Sequence, residues 1–162
     1  MSSPPKHSTG LPYAPRFTEL AVYQKARTLA RDVFRVTKKI PREQAFALTD
    51  QWRRAARSIG AQISEAWAKR RYVNHFVSKL SDADGEQMET QHWTITAYDD
   101  GYITREEARQ IGEQAQEIGR MLGDIMKNAE SFCGDDFGFA LRETPTSCFT
   151  CDVSDDPLNT ED

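Results

Sequence analysis

Apolar residues recur at steps of three and four along four successive stretches of the chain. The first is Leu20, Tyr23, Ala26, Leu29, Ala30, Val33, Phe34 and Thr37; the second is Leu48, Trp52, Ala55, Ala56, Ile59, Ile63, Ala66 and Trp67. That spacing gathers each set on one side of a helix, so both stretches predict amphipathic α-helices. Pro41 separates them, because a proline inside a helix removes a backbone hydrogen bond and clashes with the preceding turn. Val73, Phe76, Val77, Leu80, Ala83, Gln87, Met88, Gln91, Ile95 and Tyr98 form a third, less apolar stripe, ended by Asp100-Gly101. Thr104 with Glu107 three residues later fits a capping box, and Ala108, Ile111, Ala115, Ile118, Leu122, Ile125 and Met126 follow as a fourth stripe. Four long helices joined by short turns predict an all-α, up-down-up-down four-helix bundle over residues 16–131. An irregular N-terminal arm (1–15) and an acidic C-terminal tail (132–162) flank it.

Charge sharpens this division. Residues 16–79 carry 15 Lys and Arg against 5 Asp and Glu, a balance of +10, whereas residues 80–131 carry 4 against 12, or −8. Residues 132–162 carry 1 against 8, or −7, and Lys6 completes the total of −4. Basic and acidic halves of this kind attract each other within or between protomers, and any uncovered basic surface attracts polyanions. No run approaches the roughly 18 apolar residues a membrane span needs, and the start of the chain lacks a basic patch followed by an apolar run; the expectation is a cytoplasmic protein with no membrane partner.

The sequence blocks RFTELAVYQKA (16–26), FRVTKKIP (34–41), QWRRAARSIGAQISEAWAKR (51–70) and KLSDADGEQMETQHW with DDGYIT (79–104) resemble the bacterial four-helix bundle proteins called intervening-sequence or S23-type proteins. The resemblance implies a ring of five protomers and a non-enzymatic role. Distant relatives are accessory proteins that bind a reverse transcriptase and nucleic acid in retroelements, which makes RNA, DNA or a nucleoprotein enzyme the expected partner. Ala47, Gly60 and Gln62 depart from the family pattern, and His92, Thr94 and Thr96 stand where apolar residues are usual. A closed homo-oligomer, a pentamer by resemblance, is also expected because Trp52, Trp67 and Trp93, exposed on a lone bundle, would be costly, and a seam between protomers would cover them.

Arg53 and Arg57 lie one turn apart beside the apolar stripe of the second helix, with Arg54 on a neighbouring row. They are expected to pair with carboxylates of the antiparallel third helix, Asp82, Asp84, Glu86 and Glu89, as structural ion pairs. Lys69, Arg70 and Arg71 close the same helix, where cations complement its dipole; with Arg54 they are the candidate phosphate-binding set, against the alternative of helix capping and solubility. No catalytic residues are assigned, since no nucleophile elbow, glycine-rich phosphate loop or triad spacing occurs. Glu89 and His92 have the Glu-x-x-His spacing of di-iron bundles, but only one copy exists, so no metal or other cofactor is expected. Cys133, Cys148 and Cys151 offer three thiolates and no fourth ligand. In the tail, Phe137, Phe139, Leu141 and Phe149 are candidate anchors for a protein partner, which supports an alternative function as an adaptor. The same acidic tail is also a candidate to dock on the basic half and compete with phosphates.

Overall fold

In the computed structural model of the chain, residues 16–133 are described and form an antiparallel four-helix bundle. A 3₁₀ turn, Phe17–Glu19, leads into α1 (Ala21–Thr37). Pro41 then opens a 3₁₀ turn (Arg42–Gln44) that passes through a π-helical turn (Ala45–Thr49) into α2 (Asp50–Lys69). The second helix thus begins two residues later than the start of its apolar stripe. α3 (Val73–Asp99) is the longest element; Gly101, at φ 76°, makes the left-handed turn after it that side chains disfavour. Thr104 caps α4 (Arg105–Lys127) with a full capping box, its side chain accepting from the Glu107 N–H while the Glu107 carboxylate accepts from the Thr104 N–H. Each helix packs on its neighbours in sequence, and α1 closes the circuit against α4.

The core lies along the axis of the bundle. Leu29 and Val33 of α1, Trp52, Ile59 and Ile63 of α2, Phe76 and Leu80 of α3, and Ile111, Ile118 and Leu122 of α4 are almost wholly removed from solvent. Full burial of such side chains contributes about 1.5–3 kcal/mol each, and in proteins most helical stability comes from packing of the amphipathic face. Packing, not propensity, therefore holds the helices. Trp52 and Trp67 are buried within the protomer, so they need no neighbouring protomer to cover them; this corrects the expectation that they sit on a seam. Trp93 is half-buried and its indole N–H donates to Glu89.

α3 departs most from its predicted stripe. Its buried positions are Phe76, Leu80, Ala83, Gln87, Thr90, Thr94 and Ala97, a regular alternation of steps of three and four. Met88, Ile95 and Tyr98, placed in the core stripe from their hydrophobicity, are exposed by 59%, 60% and 43%. The inward face tolerates polar residues because each satisfies itself locally. Thr90 and Thr94 donate to the carbonyls of Glu86 and Thr90, and Gln87 donates to Asp84 while accepting from Gln91. His92, which stands where an apolar residue is usual, is exposed in the protomer and lies edge-on to Trp93. Gly119 of α4 is what lets this polar row pass, since a Cβ there would lie 2.8 Å from Gln87 Nε2.

Candidate functional site: a basic groove between α1 and α2

The cations of the basic half divide by the side of α1 on which they stand. On the flank facing α4, Lys25 bridges to Glu117 at 2.9 Å and Lys39 to Glu107 at 2.6 Å, and Asp32 accepts from Gln114. The two halves of opposite charge do meet within the protomer here. At the α2–α3 contact, Lys79 is shared by Glu65 and Asp82, and its ammonium is held above its ordinary pKa first by hydrogen bonds to those two carboxylates.

The flank facing α2 is different. Arg27, Arg31 and Arg57 rim a groove of about 550 Å³ whose floor is Ala26, Ala30, Ala56, Gly60 and Ala61, and whose ends are walled by Phe17 with Tyr23 and by Phe34. Phe17 and Tyr23 lock edge-to-face, with centroids 4.9 Å apart. Arg53 adjoins the far end. Small residues one turn apart on both helices, Ala26 with Ala30 and Ala56 with Gly60, leave the space that larger side chains would fill.

Arg53 and Arg57 are not the ion pairs expected from the sequence. Among the described residues neither makes a salt bridge, and both turn toward α1: Arg53 donates from Nε to Thr37 Oγ1 at 2.7 Å. The guanidinium carbons of Arg53 and Arg57 lie 4.7 and 5.9 Å from the centre of the Phe34 ring, and Lys38 Nζ lies 5.1 Å from it. Each such contact contributes about 0.5–1 kcal/mol at an exposed site. Three cations around one partly exposed ring, without a carboxylate among them, leave a positive potential directed to solvent.

Three of the four carboxylates expected as their partners are occupied elsewhere. Asp84 accepts from Gln87, Glu89 from Trp93, and Asp82 pairs with Lys79. Glu86 is held above the usual carboxylate range, chiefly by burial and then by the nearby charge of Glu89, with Arg54 opposing. Arg54 is thus exposed at the α2–α3 contact, away from the groove.

The candidate phosphate set at the end of α2 is not one patch. Lys69 and Arg71 are exposed, but Arg70 is only 3% exposed. It lies 4.3 Å over the Trp67 ring and donates to the Trp67 carbonyl at 2.7 Å, so it serves to close the helix. Arg71 stands over Tyr72. Cys133 is half-buried, and burial raises its thiol pKa against the opposing charge of Arg70. Cys148, Cys151 and the tail anchors Phe137, Phe139, Leu141 and Phe149 lie outside the described residues. Among the described residues no cluster of His, Cys, Asp and Glu is placed to hold a metal, and no helix is long and apolar enough to cross a membrane.

Sequence reasoning misses the groove because its cations lie on two helices. Arg27 and Arg31 carry a signal, an i,i+4 basic pair beside the small residues Ala26 and Ala30, but nothing local says that Arg57 joins them.

Residues 18–124 match the family described as 23S rRNA-intervening sequence protein. The chain belongs to that family. A solved structure similar to it is a protein of unknown function from the S23 ribosomal protein family of Bacteroides thetaiotaomicron, with 33% identity and a TM-score of 0.60 over 65% of this chain and 95% of that one. A comparison with curated proteins gives no match. The span shared with the intervening-sequence family runs from the turn before α1 into the last turn of α4, so it takes in both helices that form the groove.

Proposed function

We propose that this intervening-sequence protein is a non-enzymatic, cytoplasmic accessory protein that binds RNA, DNA or a nucleoprotein enzyme through the groove between α1 and α2. The observation that carries the reading is the group of cations on that face, Arg27, Arg31, Arg53 and Arg57, which make no salt bridge among the described residues while Lys25, Lys39 and Lys79 do. An aromatic ring held among guanidinium groups suits a single strand, whose bases stack while its phosphates meet the rim. Fluorescence anisotropy with a labelled single-stranded RNA tests this over a salt titration. Removing one cation from a phosphate lowers the slope of log K against log salt by about 0.7 for single strands, so replacing Arg27, Arg31 and Arg57 with Ala is expected to flatten it by about 2. A slope unchanged by the three substitutions removes the groove from the reading. Binding of a protein partner that is insensitive to salt favours the adaptor alternative.

Self-association through α3 is the second part of the proposal. Met88 and Ile95, seven residues apart, and Tyr98 beside them in sequence are exposed apolar side chains on a helix whose core row is already buried. A helix apolar on two sides is suited to a second partner. A ring, pentameric by family resemblance, would present the groove once per protomer and make modest phosphate affinity multivalent.

A further inference from the structure

The groove has a floor of small apolar residues, aromatic ends and a basic rim, so its ligand should be acidic and carry apolar side chains. A phosphodiester strand supplies the charge; a segment of this chain supplies both. Residues 135–143 read DDFGFALRE, with Asp135 and Asp136 ahead of Phe137, Phe139 and Leu141. Those three alternate, so in an extended segment they face one way and span about 13 Å. Between Tyr23 and Phe34, which wall the two ends of the groove, α1 rises about 17 Å at roughly 1.5 Å per residue.

The end of the described chain is well placed. The Phe132 ring stacks on Phe76 with centroids 6.1 Å apart and shares its cavity with Leu20 and Trp67, at the end of the bundle where α1 begins. Leu20 is one turn from Tyr23. For a segment entering from that end with Phe137, Phe139 and Leu141 turned to the floor, Asp135 on the same side would come first, toward Arg27, and Glu143 last, toward Arg57.

We propose that residues 135–143 dock in the α1–α2 groove of their own chain, with Phe137, Phe139 and Leu141 on its floor, and, resting on the phosphate-binding reading of that groove, compete there with nucleic acid. A tethered segment has an effective concentration that reaches millimolar, so an intrinsic contact with a submillimolar dissociation constant occupies the groove most of the time.

Alanine-methyl NMR on the full chain tests the docking directly. Replacing Phe137, Phe139 and Leu141 with Ser leaves the charge unchanged and is expected to shift the methyls of Ala26, Ala30 and Ala61, leaving those of Ala83 and Ala115 in the core in place. Arg27→Glu combined with Arg31→Glu is expected to shift the same groove methyls. Groove methyls indifferent to the serine substitutions overturn the docking. In anisotropy at low salt the serine variant is expected to bind single-stranded RNA about fivefold or more tightly than the unaltered chain; equal affinities with shifted methyls overturn the competition. Shifted methyls in a chain that binds no RNA in either form leave the docking in place and remove the phosphate-binding reading instead.

Discussion

Three positions show how a single residue decides between competing forces. Gly119 is a helical glycine, and alanine there would gain about 1 kcal/mol of helix propensity. Its Cβ, however, would meet Gln87 Nε2 at 2.8 Å and Cδ at 3.2 Å, and Gln87 is a buried side chain held by bonds to Asp84 and Gln91. Overpacking of this kind costs about 1–3 kcal/mol, so it outweighs propensity. At Gly123 a Cβ meets nothing within 4 Å. Thermal denaturation should therefore place Gly123→Ala above the unaltered protein and Gly119→Ala below it; the reverse order would mean that the Gln87 row moves aside at little cost. Arg53 makes the complementary case. Its loss removes one hydrogen bond to Thr37 and a contact with Phe34, without stranding a carboxylate. Arg53→Ala should cost about 1 kcal/mol, and a loss of about 3 kcal/mol or more in chemical denaturation would point to a buried charge partner.

At the scale of the element, the start of α4 concentrates several small effects on Glu107. It completes the capping box with Thr104 and receives Lys39 from α1 at 2.6 Å. Its carboxyl is held below the ordinary value of 4.5, first by the hydrogen bond from Lys39 and then by the Thr104 N–H. A depressed acid stabilises the fold when ionised: the contribution is present above the unfolded pKa and is lost as pH falls through the lower, folded one. Glu107→Ala should cost about 1 kcal/mol at pH 7. The gap between the two proteins should close as pH falls below about 4, and a gap that persists into strong acid would show that helix packing, not ionisation, carries the effect. Glu86 has the opposite sign. Burial raises its pKa, so its contribution weakens the fold as pH rises through that value.

On the scale of the whole molecule, α1 organises the charge. One side neutralises α4 through Lys25 and Lys39, and the other turns Arg27 and Arg31 toward the groove with α2. α3 does the same for apolar surface, with its core row turned inward and Met88 and Ile95 turned more than a quarter of the way around the helix from it, exposed. If that outer seam joins protomers, placing Glu at both Met88 and Ile95 should lower the mass measured by light scattering at micromolar concentration while helical content by circular dichroism is kept. An unaltered protein that is already a monomer at that concentration would remove the seam from consideration.

The fold was largely legible along the chain because its determinants are local. Period, Pro41, Gly101 and the Thr104–Glu107 box each act within a few residues, and they set helix number, order and turns before any long-range contact is made. The inner row of α3 was not legible from hydrophobicity. Thr90 and Thr94 look polar in sequence, yet their hydroxyls bond to the preceding turn and can be buried at little cost, which frees Met88 and Ile95 to face outward. The arginines were visible as a cluster, but their partners were not. Whether Arg53 meets a carboxylate of α3 or the Phe34 ring of α1 depends on the rotation of α2 about its own axis, and Arg70 is withdrawn by its stacking on Trp67. Rotation and packing are set by the whole bundle at once, so the groove exists only after four helices have closed on one another.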